Sequence, residues 1–274
     1  MRSLHTKHQT FYKYHISKNL QYLLKSYISI IIGIVIILYV GNRGTVTIEN
    51  FLLYILGGVN SRNISAMLDI IMFSLPFITY MIVFGNIIGE DFGRASVYIF
   101  SRTNNKNTWL AKKIILLFLC TIIYFSFLIA TLSVCMVMKG ILFLGSAQFI
   151  SFVFHYFINS VLNYFLVLLI TNLLTIFYRN IAVIYSTIIA FYYATQFILT
   201  PGYGKLATWA IGWPSVHSLL FLHNIPSLKL IDEAYFLPSS NLLTSAVSFT
   251  YQALLIYVTI YIGKKTIRTF DLLA

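Results

Sequence analysis

The sequence predicts an all-α, polytopic membrane protein of six transmembrane helices, and three observations predict it. Only 9% of its 274 residues are charged while 59% are hydrophobic, against about 25% charged in a soluble domain. Mean hydropathy is +0.83. The apolar residues fall in runs of bilayer length, since about 20 residues rising about 1.5 Å each cross a hydrocarbon core of about 30 Å. Lipid offers no partner to backbone N–H and C=O groups, so such runs must be helices or strands of a closed barrel, and continuous apolar stretches without alternation favour helices.

Residues 1–21 are polar and basic but interleave Leu4, Phe11, Tyr12, Ile16 and Leu20 with Lys7, Lys13 and Lys18. This predicts an interfacial helix, with a solvated basic tail as the alternative. No short apolar region precedes a small-residue cleavage site, so the first span, 22–40, is expected to be a retained anchor. Further spans are expected at 67–89, 114–138, 148–177, 181–199 and 244–262. Pro76 predicts a kink in the second span, and Gly33 a close helix contact in the first. Cys120 and Cys135 share the third span and stand roughly 22 Å apart along a helix, too far for a disulfide.

Two loops carry information. The segment 90–113 is the one long connection on its side: Glu90 and Arg94 form an i,i+4 acid–base pair, 97–100 is a short apolar ridge, and 103–107 breaks the helix. It predicts a short helix on the membrane surface that docks against something, or an amphipathic hairpin resting on lipid. The segment 200–243 carries Trp209, Trp213, Phe221 and Phe236 with few charges. It is expected to fold against the membrane face, with 206–211 and 215–223 as short re-entrant or interfacial helices; an aromatic belt is the competing account.

The formal net charge of +12 follows the membrane and not a nucleic acid. Arg2, Lys7, Lys13, Lys18 and Lys25 precede the first span. Arg94, Arg102, Lys106, Lys112 and Lys113 lie between the second and third, and Lys264, Lys265 and Arg268 follow the sixth. The positive-inside rule therefore places both termini and the 90–113 loop of this multi-pass chain in the cytoplasm.

Chemistry in the spans is sparse. Asp69, Glu90 and Asp91 stand at span ends, with no acid expected at mid-membrane, which argues against a carboxylate-driven ion-coupled carrier. The sequence has no H-E-x-x-H, no G-x-x-x-x-G-K-[ST] and no G-x-S-x-G. No metal site is expected, and any energy source must reside on another chain. The exception is a polar stripe of the fourth span, Ser151, His155, Asn159 and Asn163 at i, i+4, i+8 and i+12. Interhelical hydrogen bonding explains it by default, and a substrate path is the sharper reading.

With these elements in place, the chain resembles a type-2 ATP-binding-cassette (ABC) exporter permease of the small six-span bacterial type. The resemblance rests on Gly89, Glu90, Gly93, Ser101, Arg102 and the 109–113 region, similar to that family's first cytoplasmic loop; Phe100 stands where the family often has proline. It implies a non-enzymatic subunit paired with a second permease, a homodimer partner or a related chain, and with a cytoplasmic ABC ATPase that binds ATP and Mg. It implies that Glu90, Asp91, Gly93, Arg94, Val97, Tyr98 and Phe100 form an ATPase-coupling segment, with Arg102, Lys106 and Lys112 near lipid headgroups. His155, Asn159, Asn163, Tyr192 and Tyr193 are then expected to face the substrate path or the dimer seam. The implied cargo is hydrophobic or amphipathic, peptide or lipid-like, as in antimicrobial-peptide export or self-immunity. Two other classes stay open: a non-transporting immunity or sensor protein, and a lipid-modifying enzyme built on His217, His223, Asp232 and Glu233.

Overall fold

The computed structural model describes residues 18–40, 47–57, 67–92, 106–178, 180–199, 212–231 and 243–269. Every regular element among them is helical. Five helices are long and apolar enough to cross a membrane, and the chain is a helical, multi-pass membrane protein.

The first, α1 (Lys18–Val40), runs without a break from the basic segment into the apolar one. The expected boundary between an interfacial helix at 1–21 and a span at 22–40 therefore does not fall at 21, and residues 1–17 lie outside the described part. A 3-10 turn at Lys25–Tyr27 tightens the helix. Ile32, Ile36, Ile37 and Val40 are buried, while Ile31, Ile34 and Leu38 stay exposed, as expected of a helix that is apolar all round and packs on one side only. Gly33 permits the approach to α4 (Lys106–Met138): a Cβ there would come within 3.0 Å of the Thr131 methyl.

Between the first two spans lies α2 (Ile48–Leu56), an amphipathic helix that hydropathy alone passes over because it is too short to cross. Thr47 caps it, its hydroxyl accepting from Asn50 N–H at 3.2 Å. The Glu49 side chain is fully buried and accepts from the backbone N–H of Leu144 at 2.8 Å and of Gly145 at 3.4 Å. These donors stand at the start of α5 (Ser146–Phe177), so a carboxylate in the first turn of α2 binds the entry to another helix.

The helix α3 (Met67–Phe84) continues through Pro76, whose carbonyl accepts from Tyr124 Oη at 2.9 Å. The interruption comes later, as a turn at residues 85–86, after which helix resumes at 87–92. The helix at the expected kink, Pro76, is therefore continuous. A Cβ on Gly85 would lie 2.7 Å from the Tyr185 ring, so the turn sits where α6 (Ile181–Leu199) presses closest. Asn172 of α5 repairs the broken backbone: its Nδ2 donates to Phe84 O at 2.9 Å and Leu168 O at 3.0 Å, and its Oδ1 accepts from Ile88 N–H at 2.9 Å.

Two further boundaries differ from those read in the sequence. Helix α4 begins at Lys106 and not at 114, because the polar first two turns continue the hydrogen-bonded backbone although their hydropathy is low. Trp109 and Lys113 are buried there. The last helix, α8 (Ser245–Thr269), extends past 262 through its basic end. The fifth hydrophobic run forms α6, a helix of 19 residues. Of the expected surface segment 90–113, residues 90–92 and 106–113 are helix, and 93–105 lie outside the described residues.

An aromatic core binds α3 to α6 together. Phe77 stacks on Tyr192 with centroids 4.4 Å apart, and Phe125 on Tyr164 at 4.9 Å. Their neighbours' hydroxyls are satisfied internally: Tyr80 shares a 2.6 Å bond with Thr121, and Tyr193 donates to Ser74 O at 3.2 Å.

Because Asn172 serves three backbone groups in a medium without water, Asn172→Leu is expected to destabilise the fold by about 1–3 kcal/mol. An unchanged thermal melting curve of the detergent-solubilised variant would remove this role.

Candidate functional site

Chemistry-bearing side chains gather at the two ends of the bundle. The end marked by Lys18 is a charge cluster and the opposite end a neutral polar seam.

At the seam, the segment 212–231 folds back among the helices as 3-10 turns at Pro214–Ser218 and Leu220–Leu222 and the short α7 (Pro226–Lys229). The expected helix at 215–223 is thus a pair of 3-10 turns, and 206–211 lies outside the described residues. Pro214 and Pro226, each at the start of a turn, favour these tight geometries. Val216, Leu219, Leu220 and Leu222 are buried, and Leu220 N–H donates to Gly57 O at 2.7 Å, tying the segment to the end of α2.

The polar stripe of α5 holds this inward segment and α8. Ser151 and Ser227 hydroxyls are 2.7 Å apart, Ser160 donates to Ser218 O at 3.1 Å, and Asn163 Nδ2 donates to Pro214 O. His155 Nδ1 shares a 2.8 Å bond with Ser245 Oγ; Asn159 Nδ2 donates to His155 O at 2.9 Å and to Ser245 Oγ at 3.2 Å. Within the stripe the helix loosens to a π turn at Phe157–Val161. The widened turn leaves the Asn159 carbonyl to Gln252, whose Nε2 donates to it at 2.8 Å. Ser245, Ser248 and Gln252 thus form one face of α8, spaced i, i+3 and i+7.

Two histidines of the inward segment complete the seam. His217 Nδ1 shares a 2.8 Å bond with Ser248 Oγ, and its ring stacks on Tyr251 at 4.4 Å. His223 is fully buried, and among the described residues neither ring nitrogen has a partner in full hydrogen-bond geometry. Burial, with the neighbouring His217 and His155 rings, holds its pKa down to about 3; the His217 backbone opposes this. Asn159 Oδ1, Asn163 Oδ1 and Gln252 Oε1 are likewise buried without partners.

The structure therefore brings His155, Asn159 and Asn163 together, with Asn159 and Asn163 buried inside the chain. Tyr192 reaches the same seam through a 2.6 Å bond between its hydroxyl and Ser218 Oγ. Tyr193 packs beside it, their rings 5.6 Å apart. Ser245, Ser248 and Gln252 are members that the sequence reading missed; their spacing on the last span was the available signal. Each Ser–His pair lacks an orienting carboxylate among the described residues, so neither imidazole has the third group that a nucleophilic triad uses. No cluster of His, Cys, Asp and Glu among the described residues is arranged to hold a metal.

At the other end, Asp91 is 2% exposed and pairs with both Lys18 and Lys113. Lys113 also donates to Asn19 Oδ1 at 3.0 Å. The Tyr22 ring lies 5.1 to 6.0 Å from the ammonium groups of Lys18, Lys25 and Lys113, and its hydroxyl donates to Glu90 Oε2 at 3.3 Å. Asp91 is thus consumed inside the chain, and Glu90 turns toward α1. Gly93, Arg94, Val97, Tyr98, Phe100 and Arg102 lie outside the described residues.

A carboxylate shared by two lysines at low exposure is expected to be costly to remove. Asp91→Asn should destabilise the fold by about 3 kcal/mol, with Lys113→Met added to it restoring part of the loss. Additive effects in this double-mutant cycle, read from detergent-phase unfolding, would remove the pairing from the account. At the seam the sign follows from His223. Its folded pKa lies below the ordinary 6.5, so between about 6.5 and about 3 the unfolded chain binds a proton that the folded chain does not, and stability falls as pH falls. His223→Leu is expected to lose less melting temperature than wild type between about pH 7 and about pH 4.5. Equal losses would show that His223 is not buried in the neutral form.

No family model, curated protein or solved structure matches the chain.

Proposed function

We propose that the chain is the membrane-spanning permease subunit of a type-2 ABC exporter, with α6 as its fifth crossing of six and both termini in the cytoplasm. The observation that carries the reading is the Lys18–Asp91–Lys113 cluster. Asp91 closes the second long helix and Lys113 lies in the second turn of α4, so the pair clamps both feet of the 93–105 loop, and Lys18 ties α1 to them. A force applied to that loop is delivered to three helices as one body. This is the arrangement a coupling segment requires if an ATPase on another chain is to move a membrane bundle.

The cluster also divides the work among the coupling residues. Asp91 positions the loop from inside. Gly93, Arg94, Val97, Tyr98 and Phe100 are left to meet the ATPase, and Arg102 the headgroups. Glu90 stands at the foot of the loop and faces α1. ATP and Mg belong to the partner ATPase, and a second permease, identical or related, completes the pathway.

The seam at the opposite end supports the substrate class. It offers neutral amide oxygens and imidazoles with no carboxylate among its described members, which suits a hydrophobic or amphipathic peptide or lipid-like cargo better than a small ion. Resident near a bacterial plasma membrane's outer leaflet, such a seam serves export or self-immunity equally.

Affinity purification of the tagged chain in mild detergent is expected to recover an ABC ATPase, and Phe100→Asp to lose it while remaining membrane-inserted. Recovery of no ATPase under conditions that preserve transporter complexes would overturn the proposal and favour an autonomous sensor or immunity protein.

A further inference from the structure

The basic end carries a second site that the charge cluster does not use. Between α1 and the broken end of α3 lies a cleft of about 270 Å³, whose lining includes Tyr22, Lys25, Ile28, Ile82, Val83 and Glu90. Two opposite charges face it without neutralising each other. Among the described residues Lys25 has the Tyr22 ring at 5.1 Å as its partner, and Glu90 has the Tyr22 hydroxyl at 3.3 Å. The Tyr22 side chain, 3% exposed, stands between them and keeps them apart.

Below the charges Ile28, Ile82, Val83 and Ile87 line the walls together with Tyr27 and the Asn86 amide, and the cleft opens sideways, since Ile82 is 58% and Tyr27 59% exposed. In a membrane-embedded bundle that opening meets acyl chains and not water. The occupant this geometry fits carries an anion, a cation and an apolar tail in one molecule. We infer that the cleft binds a phospholipid whose head bears both a phosphate and a primary ammonium. The phosphate meets Lys25, the ammonium donates to Glu90, and the acyl chains run along Ile28, Ile82 and Val83. An anionic lipid without the ammonium leaves Glu90 facing a like charge. A choline lipid supplies the charge but no N–H to donate.

This inference rests on the membrane character of the chain and is independent of the transport proposal. Native mass spectrometry of the full chain in detergent, given equal amounts of phosphatidylethanolamine, phosphatidylglycerol and phosphatidylcholine, tests it. Phosphatidylethanolamine adducts are expected to exceed each of the others by about fivefold, the scale set by one headgroup contact. Glu90→Gln should abolish the preference over phosphatidylglycerol, and Lys25→Gln should weaken phosphatidylethanolamine retention. Ile82→Trp, at a lipid-exposed position that leaves both charges in place, should suppress adducts of all three by filling the cleft. Soluble phosphoethanolamine in excess should not compete. Equal retention of the three lipids by wild type, a preference for phosphatidylglycerol, a preference that survives both charge variants, or competition by the soluble headgroup would each overturn the proposal.

Discussion

Inside a lipid-embedded bundle every backbone N–H and C=O released from a regular helix must find a partner within the protein, and this constraint accounts for most of the polar side chains in these spans. Asn172 bridges the turn at 85–86 in α3. Gln252 takes the carbonyl that the π turn of α5 releases. Asn163 and Ser160 hold the carbonyls of Pro214 and Ser218 in the inward segment. Glu49 receives two N–H groups at the entry to α5. Irregular backbone and polar side chain occur as matched pairs, so the broken spans and the inward segment are stable only because of residues on other helices.

That pairing explains how much of the fold was legible in the sequence. The long apolar runs are visible because each helix satisfies its own backbone, and hydropathy depends on residues close in the chain. The partners of the irregular segments lie far apart in sequence: Asn172 serves residues more than eighty positions earlier. Nothing local marks them. The polar stripe of α5 was visible as a periodicity, but not that its partners are Pro214, Ser218, Ser227 and Ser245. Pro76 was the obvious candidate for a kink, but the turn comes at Gly85, where a Cβ would crowd the Met81 carbonyl and the Tyr185 ring. The helix α2 escaped because it is too short for a span, and its buried Glu49 looks like any loop acid until its donors are known.

The charged residues were read in the sequence as a boundary marker and not as structure. A basic flank before the first span and another before the third suggest only topology. In the fold, one lysine from each flank converges on Asp91. Burying one carboxylate between two ammonium groups avoids an isolated charge, which low-dielectric surroundings penalise heavily, and leaves the cluster with a net positive charge suited to the membrane surface. Residues that the sequence offers only as topology markers therefore also join α1 and α4 to the helical segment 87–92.

Hydrogen bonding among the described residues leaves a remainder of buried polar atoms; the Ser26 and Ser133 hydroxyls lie elsewhere in the bundle, and five atoms lie together at the seam. The unpartnered atoms of His223, Asn159, Asn163 and Gln252 lie at the seam end, around the π turn of α5 and the inward 3-10 turns. Each of the three amides spends its N–H₂ on protein, on Ser245 and His155, on Pro214, and on Asn159, and keeps its oxygen free. If these residues served backbone repair alone, as Asn172 does with both ends of its amide, the oxygens would be engaged as well. The seam therefore holds acceptor capacity beyond what folding consumes, beside an imidazole kept neutral by burial. Buried acceptors without donors cost free energy unless something supplies the donor. Neutral O–H or N–H donors meet that need without introducing a charge, which is the chemistry that the proposed amphipathic cargo would bring.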